Sequence, residues 1–270
     1  MPVEQGKSGA IVLGTYIDAL TWDQCLNRIV LWAARRESRS VFLCNVHSVV
    51  TGMCTPDFGR VLQQADLALP DGAPIAWWLR RCGHKGQPRI NGPDLMLRCC
   101  ARAAEAGLAV FLYGCSEATL DQLGARLREA FPSLKLAGVW APPFRALTPE
   151  EDARVTGIIQ ASGAQIVFVA MGCPKQEAWI AQHRERIPAV MIGVGAAFDY
   201  HAGLIRRAPR WMQRAGLEWL YRLVCEPGRL WRRYLVTNTL FVAFLLGELM
   251  AKRRSGSTCN CGQRTHGRSS

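Results

Sequence analysis

Residues 165–180 read Gln-Ile-Val-Phe-Val-Ala-Met-Gly-Cys-Pro-Lys-Gln-Glu-Ala-Trp-Ile. The apolar run at 166–171 is too short for a helix and rich in Val. It therefore predicts a strand buried on both faces, as in a parallel sheet. Gly172 breaks the run, and Pro174 suits the first turn of a helix, where a missing N–H costs nothing. A strand, a glycine turn and a helix N-terminus together set backbone N–H groups and the positive end of a helix dipole towards an anion. Lys175 and Gln176 fall on that first turn. An ordinary corner with two solvated polar residues would look the same, so the rest of the chain must decide.

The same unit recurs along the chain. Strands are expected near 11–13, 40–44, 65–70, 108–113, 134–139, 166–171 and 190–194. Helices are expected over 22–35, from just after 47 to about 64, and over 73–81, 94–107, 117–131, 149–161 and 175–186. Thr21 is a good N-cap, and Thr148 with Glu151 forms a capping box. Regular alternation argues for an α/β, doubly wound, Rossmann-like and mostly parallel sheet. The expected catalytic domain spans residues 1–205.

Beyond residue 205 the character changes. The chain of 270 residues carries a net charge of +12, and residues 203–270 hold thirteen Lys or Arg against three Glu. Helices are expected over 217–225 and 229–251. The stretch 235–251 is mostly apolar, at the lower length limit for crossing a bilayer. Residues 206–252 therefore read as a basic, aromatic and apolar helical appendage, and 253–270 as a disordered tail. The eleven Cys and five His show no metal-ligand spacing, and the N-terminus has no signal-peptide pattern. A reduced, cytosolic protein without a bound metal is the expectation.

Open parallel sheets bind ligands beyond the carboxyl ends of their strands. Asn45 and His47, Asp71, Ser116, the corner 172–176 and Asp199 fall there, and Arg89, Asn91 and Asp94 lie on a connecting loop. Asp71, between Pro70 and Gly72, is the best candidate for a general base acting on a sugar hydroxyl. An Asx-turn residue would read equally well. Asn45 could hold a sugar hydroxyl or cap the next helix, His47 reads as a helix-start residue, Arg89 could pair with phosphate, and Asp199 could bind a ribose. The first strand is followed by no Gly-x-Gly-x-x-Gly, and no Walker-type lysine motif occurs. Both absences disfavour hydride transfer and ATP hydrolysis.

Ordered segments carry a resemblance. Asn-Val-His-Ser-Val-Val from 45, Leu-Pro-Asp-Gly from 69, Arg-Ile-Asn-Gly-Pro-Asp-Leu from 89 and Phe-Leu-Tyr-Gly from 111 are followed by four more. These are Met-Gly-Cys-Pro-Lys-Gln-Glu-Ala-Trp from 171, Gly-Val-Gly-Ala-Ala-Phe-Asp-Tyr-His-Ala-Gly from 193, Arg-Ala-Pro from 207 and Gly-Leu-Glu-Trp-Leu-Tyr-Arg from 216. Over roughly residues 10–235 the chain resembles the WecG/TagA/CpsF bacterial glycosyltransferases, glycosyltransferase family 26.

The resemblance implies an inverting, metal-independent transfer of N-acetylmannosamine, its uronic acid or a related hexose from a UDP-sugar to a polyprenyl-diphosphate-linked glycan. The donor is a substrate, so no cofactor is implied. It further implies Asp71 as base, with Asn45, Arg89, Asn91, Gly114, Gly172, Lys175, Gln176 and Asp199 around the donor. Arg222, Arg229 and Arg232 are implied to grip the acceptor diphosphate, at the inner face of the cell membrane. Leu43 and Asn91 stand where the family often has Thr, which leaves the sugar unspecified.

Two other readings remain. One is a nucleotide-binding epimerase or methyltransferase. The other is a nucleic-acid module using the arginines interleaved with Trp211, Trp219, Tyr221, Trp231 and Tyr234. The adjoining apolar helix fits a lipid interface better, so nucleic acid is not the expected partner. The oligomeric state is left open, self-association included.

Overall fold

In the computed structural model, which describes residues 8–255, the two sheets differ in kind. Strands β1 (Gly9–Val12) and β2 (Thr15–Asp18) form an antiparallel hairpin. Six parallel strands form the main sheet: β3 (Arg39–Cys44), β4 (Leu67–Pro70), β5 (Ala109–Gly114), β6 (Lys135–Trp140), β7 (Ile166–Ala170) and β8 (Val190–Gly193). Their spatial order is β4-β3-β8-β7-β5-β6. This is the doubly wound arrangement that the alternation predicts.

Every residue of β7 and β8 is buried, as expected for strands covered on both faces. One face carries α1 (Trp22–Ala34), α5 (Gly92–Ala106), α6 (Glu117–Ala130) and α9 (Ala197–Ala202) over a core that includes Ile29, Leu95, Leu123 and Phe198. The other carries α2 (Val46–Cys54), α3 (Pro56–Gln63), α4 (Ala73–Arg81), α7 (Pro149–Ala161) and α8 (Lys175–His183) over Val49, Phe58, Trp78, Val155 and Ile180. The outer strand β4 is shielded by the hairpin, whose Asp18 carboxylate accepts the Ala68 N–H at 2.9 Å.

Short helices α10 (Arg210–Arg214) and α11 (Glu218–Cys225) follow, and the long α12 (Pro227–Ser255) lies back across α2. Leu230, Thr237 and Phe241 are buried there, and Phe244 meets the Trp78 ring at 5.6 Å between centroids. Among the described residues no helix is long and apolar enough to cross a membrane.

Several boundaries differ from expectation. The helix expected from just after 47 to about 64 starts at Val46 and divides at Thr55, because Pro56 has no N–H to continue α2 and instead opens α3. The strands β2 and the helices α9 and α10 are too short to leave a periodic signal. Pro174 precedes α8 as its N-cap rather than occupying its first turn, and the Cys173–Pro174 peptide is cis. Helix α12 starts at Pro227 and runs through Ser255 rather than ending at 251, so residues 253–255 of the expected tail are helical. The remainder, 256–270, lies outside the described residues.

Candidate active site

The carboxyl ends of β3, β4, β5, β7 and β8 open onto one cavity of about 1610 Å³. The sheet changes winding direction here. The connection leaving β5 runs over the α6 face and that leaving β7 over the α8 face, so their tips part into a crevice. Gly114 lets those tips close beneath it: a Cβ there would lie 2.3 Å from the Ala170 carbonyl oxygen. Gly172 takes φ +77° at the following turn, a left-handed conformation that favours glycine.

Asp71 follows β4 directly, at the cavity wall. Its carboxylate accepts a 3.4 Å hydrogen bond from the Asn45 side-chain amide. The surrounding protein pushes its pKa above the ordinary carboxylate value, and Glu218 pushes the same way. Arg89, the Asn45 amide and Arg222 pull it back. Of the two roles foreseen for it, Asn45 is seen to perform the helix cap, and its amide makes a second contact, with Asp71. Its Oδ1 caps α2 by accepting the Ser48 N–H at 3.2 Å, which leaves the amide aimed at Asp71. His47 is the second residue of α2, where burial and then Arg233 push its pKa down to about 4. It is therefore a neutral imidazole near pH 7, hydrogen-bonded to Thr51.

The Gly172–Gln176 corner divides its polar groups. Gln176 is buried. Its Oε1 accepts the Gly195 N–H at 3.1 Å and its Nε2 donates to Glu177 Oε1 at 2.9 Å. The amide thus ties the tips of β7 and β8 together. Lys175 is exposed at the cavity and has no ion-pair partner among the described residues. Asp199, on α9, lines the same cavity. Leu43 lies against Gly92 and lines the cavity, giving it an apolar surface there.

Arg89 is only partly exposed. It is ion-paired with Glu218 of α11. Glu218 also takes Arg207 Nε at 3.3 Å, and Arg207 continues to Asp94 at 2.5 Å and to Asn91 Oδ1 at 3.2 Å. Asn91 is buried and caps α5 through the Asp94 N–H. One chain of charges therefore joins the loop before α5 to the C-terminal helices.

The three arginines mapped onto the acceptor separate. Arg222 lines the cavity, its guanidinium 6.0 Å from the Tyr200 ring centroid and its Nε without a hydrogen-bond partner among the described residues. Arg232 is exposed, 5.2 Å from the Trp231 ring centroid and away from the cavity; from that turn it is Arg233 that lines the wall. The side chain of Arg229 lies outside the described residues. Glu218, Arg207 and Arg233 were missed as site residues. The first two fall within the recognised segments from 216 and 207, but nothing in local spacing shows that they meet Arg89 across the fold.

Among the described residues no three His, Cys, Asp or Glu side chains are grouped to hold a metal ion. Charged side chains of both signs line the cavity; Arg222, Arg233 and Lys175 are among the cations able to hold phosphate oxygens, and Asp71 is a carboxylate able to take a proton.

Comparison with known proteins agrees with this chemistry. A model of the family described as Glycosyl transferase WecG/TagA/CpsF family matches residues 10–255. An N-acetylglucosaminyldiphosphoundecaprenol N-acetyl-beta-D-mannosaminyltransferase of Bacillus spizizenii is 35% identical over 197 residues, covering 73% of this chain and 74% of that protein. A protein of the same name from Bacillus subtilis is 34% identical over 183 residues, covering 66% and 68%.

Proposed function

Because the chain belongs to the WecG/TagA/CpsF family of glycosyltransferases, we propose that it moves an N-acetylmannosamine-type sugar from a UDP-sugar to a polyprenyl-diphosphate-linked N-acetylglucosamine. The acceptor class follows from the names of the two Bacillus relatives. The observation that carries the reading is Asp71, a carboxylate at a strand tip, held by Asn45 and flanked by Arg89 and Arg222.

In this reading Asp71 takes the proton from the attacking acceptor hydroxyl. The hydroxyl oxygen bonds to the anomeric carbon as the bond from that carbon to the UDP oxygen breaks. UDP leaves with the electron pair, and one displacement inverts the anomeric centre. A carboxylate whose pKa is raised towards the working pH is a stronger base than an ordinary one. Arginine and lysine side chains balance the phosphate charge, so the transfer needs no divalent ion.

The C-terminal helices supply the membrane contact. Trp231, Leu235, Val242 and Leu246 are exposed on α12 at spacings that put them on one face, with Trp211 and Val224 exposed nearby. A basic surface with an apolar, aromatic row suits the inner face of the cell membrane, where a polyprenyl carrier would be met. The acceptor arginines and this row belong to the same segment, which supports 206–252 as the acceptor-facing part and 1–205 as the donor-binding part.

The test is UDP release from a panel of UDP-sugars with a polyprenyl-diphosphate N-acetylglucosamine acceptor, with and without EDTA. Release that requires the acceptor and persists in EDTA is expected. Release restored only by Mg²⁺ or Mn²⁺ would overturn metal independence, and no release with any donor would overturn the donor class.

A further inference from the structure

Helix α11 carries Arg222 to the cavity, yet none of its residues is buried. It packs on α10 and α12, its own neighbours in the chain. What links its first residue to the catalytic sheet is charge. Glu218, with its side chain 16% exposed, pairs with Arg89 at 19% and with Arg207 at 23%. Arg207 is itself fixed by Asp94 and Asn91 at the start of α5. Arg222 lies four residues after Glu218, on the same face of the helix.

We propose that Glu218 is a positioning residue for the transfer: its ion pairs with Arg89 and Arg207 dock α11 on the sheet and thereby set Arg222 beside Asp71. The inference rests on the proposed role of Asp71 as base. A partly buried pair loses most when a single partner is removed, because the other charge stays desolvated without compensation. Losing Glu218 would leave Arg89 without its ion-pair partner, while Arg207 would keep only Asp94. The helix would then keep no charged tie to the sheet at its N-terminal end.

Glu218 also belongs to the electrostatic surroundings of the base. The groups facing Asp71 are Cys44 and Asn45 at the end of β3, Arg89 before α5, and Glu218 and Arg222 on α11. Removing the Glu218 charge takes away one influence that raises the Asp71 pKa and leaves Arg89 unneutralised. Both effects favour the ionised carboxylate at lower pH.

The experiment compares wild type, Glu218→Gln and Glu218→Asp, full chain, by hydrogen exchange and by transfer kinetics. In Glu218→Gln, exchange across residues 218–225 should rise about tenfold or more while the peptides of β7 and β8 keep their protection. Transfer should fall by about a hundredfold, the scale of an ångström-sized misplacement at a reacting centre. The acid limb of the rate profile should move to lower pH, and Glu218→Asp should recover part of each change.

Adding Glu218→Gln to Arg222→Ala should cost almost nothing further, because the two act through one contact. Unchanged exchange over 218–225 overturns the docking role, whether or not the chain transfers sugar. Full additivity with Arg222→Ala overturns action through Arg222. Full turnover by Asp71→Asn would overturn the base assignment instead, leaving the exchange result to decide the docking.

Discussion

The catalytic sheet and the C-terminal helices are held by different forces. Strands β5, β7 and β8 sit inside two apolar layers and owe their position to burial. Helices α10 and α11 have no buried residue, and α11 meets the sheet through the Glu218 ion pairs. Helix α12 is intermediate, with one apolar face on α2 and the other exposed. Apolar packing is dense and positions atoms sharply, whereas a helix with no buried residue, held by a few ion pairs, can shift without disturbing the core. The proposed base, Asp71, therefore stands on the rigid part, and Arg222, proposed to bind phosphate, on the adjustable part. A site that admits a large lipid-linked acceptor gains from that division.

The largest expected effect tests the rigid side. Asp71→Asn keeps the shape and the contact with Asn45 but removes the proton acceptor. Transfer should drop about 10²–10⁴-fold, the usual contribution of a general base. UDP affinity, measured by calorimetry, should hardly change. Near wild-type turnover would reduce Asp71 to a turn residue.

The next tests the adjustable side. Arg222→Ala should lower transfer about 10²-fold, the scale of one electrostatic group acting on developing charge. Arg232→Ala, exposed against Trp231, should remain close to wild type. Steady-state kinetics with varied acceptor would separate the two, and equal losses would mean that the appendage acts through its summed charge rather than through position.

The two regions also differ in how far sequence reveals them. The buried strands announce themselves as unbroken runs such as Ile166–Ala170, and the glycine-marked tips place Asn45, Asp71 and Gln176 at one end of the sheet. Burial is a local property of composition, so it can be read from a short window. The ion pairs are not local. Arg89 meets Glu218 across 129 positions, and no spacing rule links them. The same limit explains Arg232. Adjacent arginines differ by about 100° around a helix, and only the packing of α12 on α2 shows that Arg233 is the one facing inward. The capping role of Gln176 between β7 and β8 was likewise invisible, since it depends on which strand lies next to β7.

A smaller effect is expected on the outer face of α12. Burying a leucine-sized side chain contributes about 1.5–3 kcal/mol when complete, and interfacial insertion is partial. Leu235→Ser should therefore weaken binding to anionic vesicles by about tenfold, with transfer to a detergent-dispersed acceptor unchanged. High salt should weaken the wild type further, since each arginine near an anionic surface contributes about 1 kcal/mol. Deleting residues 206–270 would be a poorer test, because Phe244 packs on Trp78 and Phe241 belongs to the same buried cluster, so their loss would open the core. Unchanged cosedimentation of Leu235→Ser would place the membrane contact elsewhere.

The smallest effect concerns stability, and it sets the base against its own scaffold. The folded protein raises the Asp71 pKa, chiefly through desolvation of the carboxylate. At a pH below the unfolded-state value both folded and unfolded chains hold the proton, and the group costs nothing. As pH rises through the unfolded value, the unfolded chain releases its proton first. Stability is then lost progressively until the folded carboxylate ionises as well. Asp71→Asn does not titrate, so at neutral pH it should melt at a higher temperature than wild type. That gain should shrink and vanish as the buffer is taken below the ordinary carboxylate range. Melting curves at several pH values, read beside the lost transfer, would show a residue retained against stability. A variant that melts lower than wild type at neutral pH would mean that Arg89 and Arg222 stabilise the charge more than burial opposes it, and the site would then hold Asp71 as a structural ion.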